Sequence, residues 1–156
     1  MHEELRALAD GDLAAWPGLP GGLARADVEA ALGAPPEAEG PLGLFGTAAT
    51  LCRYPATAAA PLGIQIWYVA GAVELVQIDE PVPTQAVTEA LGPPEADVDS
   101  LLGSSRRQLV YAGRGLTVHV SGITGEPYRL YGYPPCPAEQ FLAAPLRYVS
   151  STRSRR

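Results

Sequence analysis

One octapeptide occurs twice in this chain. Val28-Glu29-Ala30-Ala31-Leu32-Gly33-Ala34-Pro35 returns as Val87-Thr88-Glu89-Ala90-Leu91-Gly92-Pro93-Pro94, with five of eight positions identical at a spacing of 59. A match at such a period points to one supersecondary unit used twice, and it restricts the fold to arrangements that hold two copies. Each copy reads as a short helix with a stop. Val28, Ala31 and Leu32 recur at i, i+3 and i+4, as do Val87, Ala90 and Leu91, which makes a single apolar stripe. Gly33 and Gly92 fall where a helix ends in the left-handed conformation, and Pro35 and Pro94 prevent its continuation. Thr84 is a candidate cap for the second helix, and Asp27 favours the dipole of the first.

Downstream of each helix the period changes from 3.6 to 2. The first copy carries strand signals at Thr50–Tyr54, Gly63–Val69 and Val73–Ile78, the second at Gln108–Tyr111, Gly115–Ser121 and Tyr128–Tyr133. These runs are β-branched and aromatic, and Gly-containing turns separate them, as expected for antiparallel neighbours. Each unit is therefore expected to be one helix and about three meandering strands. Segments 34–49 and 95–105 read as loops, or as a further short helix or strand. The fold class is α+β: two tandem repeats of a short helix followed by an antiparallel β-meander, sheets side by side with the helices on one face. The expected division is an amphipathic N-terminal segment at 1–22, units at 23–82 and 83–142, and a basic flexible tail at 143–156. Trp16 is expected to plug the edge of the core. Residues around Phe141, Leu142 and Leu146 are expected to form a last short helix.

A helix ending in Val-x-x-x-Leu-Gly-x-Pro and followed by a meander resembles the unit of the β-lactamase inhibitor protein superfamily. It is similar also to the unit of small outer-membrane assembly lipoproteins. The resemblance covers roughly residues 24–135 in two copies. It implies one curved sheet with helices on its convex side. The chain lacks the disulfide within each unit and the signal sequence of the secreted inhibitors, and it lacks the lipidated cysteine of the lipoproteins.

Charge is divided unevenly. Residues 1–105 hold 15 acids and three arginines, a net of −12, while residues 106–156 hold two acids and eight arginines, a net of +6. An acidic first half argues against nucleic acid as a partner, since phosphate binding needs a basic face. Lysine and asparagine are absent, the mark of a GC-rich bacterial genome. The start, Met1-His2-Glu3-Glu4-Leu5-Arg6, shows no signal peptide, and no run of 18 apolar residues exists. No membrane association and a cytoplasmic location are the expectations. Cys52 and Cys136 are expected to be buried thiols, with one bridge left open by sequence.

Chemistry is sparse. Cys52 and His119 could pair as nucleophile and base, but a structural thiol is the simpler reading. Asp79-Glu80 and Asp97-x-Asp99 read as exposed turn carboxylates. No phosphate loop, nucleophile elbow or metal-ligand spacing is present, so neither an enzyme nor a cofactor or metal site is expected. The alternation of the strands says more. Ile64, Ile66 and Tyr68 share one face, and Leu116, Val118 and Val120 do likewise; these should cover the helices. Gln65, Trp67, Thr117, His119 and Ser121 then lie on the opposite face. Matching Glu74 with Arg129, Val76 with Tyr131 and Ile78 with Tyr133 gathers Arg129, Tyr131 and Tyr133 beside them. An open face of Tyr, Trp and Arg has the composition of a protein-binding patch. The expectation is a non-enzymatic module that binds another protein, an inhibitor or toxin-immunity protein whose partner is a toxin or enzyme. Its binding residues are Gln65, Trp67, Thr117, His119, Arg129, Tyr131 and Tyr133. The alternatives are a second core layer formed by those aromatics, an assembly module that homodimerises through that face, and a small-molecule binder with a pocket between the units near His119, Tyr111 and Cys52.

Overall fold

The computed structural model describes residues 24–44, 47–56, 63–78, 88–89, 91–100, 103–121 and 127–143. The segment with Trp16, the cap at Thr84, the pair Asp79-Glu80, and the tail beyond Ala143 lie outside the described residues. Helix α1 spans Arg25–Leu32. Strands β1 (Ala38–Leu44), β2 (Thr47–Tyr54), β3 (Ile64–Val69) and β4 (Ala72–Ile78) follow. Thr88, Glu89 and Leu91 are helical. Then come β5 (Ala96–Ser100), β6 (Gly103–Tyr111), a 3-10 turn at Ala112–Arg114, β7 (Leu116–Ser121), β8 (Pro127–Gly132) and helix α2 (Ala138–Ala143). No described helix is long and apolar enough to cross a membrane.

All eight strands form one antiparallel sheet in the order β1-β2-β3-β4-β8-β7-β6-β5. Two four-stranded meanders thus meet through their last strands. The joint pairs Val76 with Gly132, Gln77 with Tyr131 and Ile78 with Leu130. The meanders agree in detail. Gly33 and Gly92 both take positive φ, and their N–H groups donate to Glu29 O and Thr88 O. Pro-Pro-Glu-Ala then occurs twice, at 35–38 and 93–96, and its alanine opens β1 or β5. Glu37 N–H donates to Arg53 O, and Glu95 N–H donates to Val110 O, each at 2.8 Å. The pairing of third with fourth strand shifts at the same place in each meander, opposite Trp67/Tyr68 of β3 and His119/Val120 of β7, where Glu74 of β4 and Tyr128 of β8 are the extra residues.

Each meander has four strands rather than three. The extra strands, β1 and β5, lie in the segments read as loops or further elements. They are poor in strand signal because they are the sheet's two edges. Gly40, Pro41 and Gly43 lie in β1, and Asp97 and Asp99 in β5, whose pairing with β6 becomes irregular after Asp99. Prolines, charges and bulges are how edges avoid pairing with other chains. Asp97 and Asp99 are accordingly strand residues, not turn residues, and Asp97 forms an ion pair with Arg107 on β6.

The sheet has a core on each side. On the helix side, Val28 of α1 and Leu91 pack with Cys52, Tyr54, Ile64, Ile66, Val76, Leu116, Val118 and Leu130, among others. On the second side, Trp67, Leu75, Val110, Ala112, Tyr131 and Tyr133 pack with Phe141 of α2. The face expected to be open is therefore closed over most of its width. Trp67, Thr117, His119 and Tyr133 are each 0% exposed, and Tyr131 is 2% exposed. The reason is apolar content: Leu75, Val110 and Phe141 point to the same side as the aromatics, and a sheet apolar on both faces must be covered on both. A second correction concerns register. Tyr131 sits opposite Gln77, not in the place of Val76, and a one-residue slip exchanges faces. Cys52 and Cys136 belong to opposite cores and form no disulfide.

Two backbone positions test this architecture. Gly115 has φ +72°, and a Cβ there would collide with the carbonyl of Tyr133. Gly115→Ala is expected to lower stability by about 2–5 kcal/mol in denaturant titration. Ala70 and Gly71, between β3 and β4, have φ of 52° and 78°, a turn that suits Asn-Gly. Ala70→Asn is expected to raise stability by about 0.5–1 kcal/mol, read by the same titration.

Candidate binding face

Strand pairing lays a row of side chains across the second face. Ala38 pairs with Arg53, Arg53 with Gln65, Gln65 with Gln77, Gln77 with Tyr131, and Tyr131 with Thr117. Directly paired residues point to the same side, so the row changes from exposed arginine on β2 to buried tyrosine on β8 across four strands. A parallel row pairs Arg129 with His119 and His119 with Gln108. The buried polar side chains of the described residues are Gln77, Gln108, Thr117 and His119, and all four lie on this face. The helix-side core is apolar apart from its tyrosine hydroxyls.

The structure thus brings all the expected binding residues to one side but does not leave them open. Trp67 and Tyr131 meet with ring centroids 6.5 Å apart. The Tyr133 hydroxyl lies 2.8 Å from Thr117 Oγ1 and donates to Leu116 O at 3.1 Å. The Tyr133 ring stacks on Phe141 with centroids 5.0 Å apart. The segment leading to α2 is held along the 3-10 turn, where Tyr133 N–H donates to Gly115 O and Cys136 N–H to Ala112 O, both at 2.9 Å. Arg129 and Gln65 are half-buried.

The same face is open at its β1–β3 end. A depression of about 300 Å³ lies there, lined by Ala38, Glu39, Gly40, Pro41, Leu51, Arg53 and Gln65. Of the residues expected from sequence, Gln65 alone lines it. Arg53 and Leu51 were not anticipated. Their signal was present in Leu51-Cys52-Arg53-Tyr54, where Cys52 and Tyr54 are the core side of an alternating strand and Leu51 and Arg53 face the other way.

Beside the depression, on the helix side, Arg25 forms a charge cluster. Its Nη1 and Nη2 donate to the two oxygens of Glu39 at 2.9 Å each, and its Nε donates to Glu29 Oε1 at 2.9 Å. Tyr54 donates to the same Glu29 oxygen at 3.0 Å and lies 2.8 Å from the Tyr68 hydroxyl. The guanidinium also sits 5.5 Å from the Tyr68 ring centre. The hydrogen bonds that Arg25 donates to Glu39 and then to Glu29 raise its pKa, and the same bond holds Glu39 below its ordinary value. Burial, then the Tyr68 bond, raises Tyr54, and burial pushes Tyr68 up to about 12. Burial also raises the Cys52 thiol. These groups are held in their resting protonation states, as suits an anchor between α1 and β1 rather than a nucleophile. Cys52 and Tyr111 face the helix side and His119 the other, so neither the Cys52–His119 pair nor a pocket shared by all three exists. No described group of three His, Cys, Asp or Glu is placed to hold a metal.

No family model, curated protein or solved structure matches this chain.

Tyr133→Phe removes a buried hydroxyl with two partners. It is expected to cost about 1–2 kcal/mol in denaturant titration, with less further loss when Thr117→Val is added. The Arg25–Glu39 pair has a pH signature. The folded pKa of Glu39 lies below the ordinary 4.5, so its contribution is present above that value and is lost as pH falls through the folded pKa. Melting temperature should therefore decline below about pH 4.5, less steeply in Arg25→Met.

Proposed function

We propose that this chain is a non-enzymatic protein-binding module of the inhibitor or toxin-immunity kind, built from a duplicated helix-plus-meander unit. It uses the open end of the second sheet face. The carrying observation is the unequal cover of that face: α2 and the aromatic core close its β8–β7–β6 half, while Leu51, Arg53 and Gln65 remain accessible around a depression at the other end. The surface mixes an apolar side chain, an arginine and an amide on a rigid sheet, the composition of a recognition patch. The aromatic residues expected to contact a partner become the support beneath it. Both edges of the sheet are guarded, so binding by face rather than by strand addition fits the chain.

The duplicated unit is supported by the twin glycine stops, the twin Pro-Pro-Glu-Ala segments, the matching bulges and the symmetric pairing about Gln77 and Tyr131. They favour a scaffold that presents a surface.

Replacing Gln65 with a photocrosslinking amino acid tests the reading in the cells that make the protein. A discrete adduct with a second protein is expected at position 65 and none from the same group at Asp99, on the far edge. Equal labelling at both sites, or no adduct at 65, would refute it. An adduct of twice the chain's own mass would instead support the homodimeric assembly reading.

A further inference from the structure

The geometry points to the chemistry of the partner: the depression at the β1–β3 end is a carboxylate subsite, and Arg53 receives an Asp or Glu side chain of the bound protein. This rests on the binding reading above and adds the identity of the anchoring group. The charges around the depression decide its sign. Arg53 is exposed, and its guanidinium has no hydrogen-bond or ion-pair partner among the described residues. By contrast, Arg25 is engaged by Glu29 and Glu39, and Arg107 by Asp97. Glu39 is the one carboxylate lining the depression, and both of its oxygens are taken by Arg25. Among the described residues the depression therefore offers an uncommitted cation and no uncommitted anion, although the chain as a whole is acidic.

Shape agrees with charge. Gln65 stands directly opposite Arg53 on β3, about 5 Å away between Cβ atoms in such a pair, so a planar acid at Arg53 lies against an amide wall. Leu51 is two residues along the same strand on the same side, where it takes the methylenes of an incoming Glu. Gly40 pairs with Leu51, and a Cβ built at Gly40 would meet nothing within 4 Å. The missing side chain is what leaves the space, and a bidentate guanidinium–carboxylate contact can form in it.

A library of displayed 12-residue peptides, selected on the immobilised full chain, tests this directly. Selected peptides are expected to carry Asp or Glu. The affinity of a selected peptide should fall about tenfold when its acid is changed to the amide, and as much with Arg53→Gln. Gly40→Leu keeps the charge and fills the space, and it should weaken binding as well. Arg53→Gln lies on the surface and should leave thermal unfolding unchanged. Enrichment of peptides without acids, an affinity unchanged by Arg53→Gln, or no enrichment would overturn the assignment. The two readings fail separately: a cellular adduct at position 65 whose formation ignores Arg53→Gln keeps the binding module and discards the carboxylate subsite. Acid-dependent peptide binding without any cellular adduct keeps the subsite and discards the module.

Discussion

The structure depends on a short antiparallel contact. Three residue pairs between β4 and β8 join two meanders into one sheet, and through that joint each side of the sheet becomes continuous. Ile66 and Val76 from the first meander and Leu116 and Val118 from the second enter a single helix-side core. The joint is symmetric in register, with Val76–Gly132 and Ile78–Leu130 flanking Gln77–Tyr131. Its register also sets parity. Because side chains alternate strictly, pairing Gln77 with Tyr131 commits every neighbouring position to a face, and a slip by one residue would exchange the two cores.

The two faces are built by different chemistry. The helix side is apolar, and its phenols are linked to one another and to the Arg25 cluster at its margin. The second side carries the buried amides, Thr117 and His119 together with Trp67, Tyr131 and Tyr133. Within this layer the Tyr133 hydroxyl is hydrogen-bonded with Thr117 and Leu116, which offsets the cost of burying it. Helix α2 packs on this layer over the second meander through Phe141. At the first meander Trp67 and Leu75 are buried as well, while Gly40 of β1 leaves open space beside Leu51. Among the described residues α2 packs on the second meander, and the recognition surface proposed above lies at the opposite end of the same face.

Much of this was legible locally. The glycine stops of both helices, the central strands, the alternation of Ile64–Val69 and Leu116–Ser121, and a helix around Phe141 all follow from period and turn chemistry. The edge strands were not legible, because Gly, Pro and Asp are selected there against strand pairing and so erase the strand signal. The second Pro-Pro-Glu-Ala was available but is offset by one residue from the helix repeat, since Gly33-Ala34-Pro35-Pro36 is one residue longer than Gly92-Pro93-Pro94. That deletion hides the start of β1 and β5 from a fixed-period comparison. The same kind of slip misplaced Tyr131 against Val76.

The sequence by itself determined which residues lie on the same side of each strand, because the pleat is a local property of two-residue period. It also determined the helix stops at Gly33 and Gly92, since a positive φ is open to glycine and closed to most others. Only the tertiary structure decided which side meets solvent. Exposure depends on what packs against a face, and for Tyr133 that is Phe141 on a separate helix, while for Arg53 it is the absence of bulk at Gly40 on a neighbouring strand. No local pattern records those distances, so the aromatic set went inside and an arginine between two core residues was left at the surface.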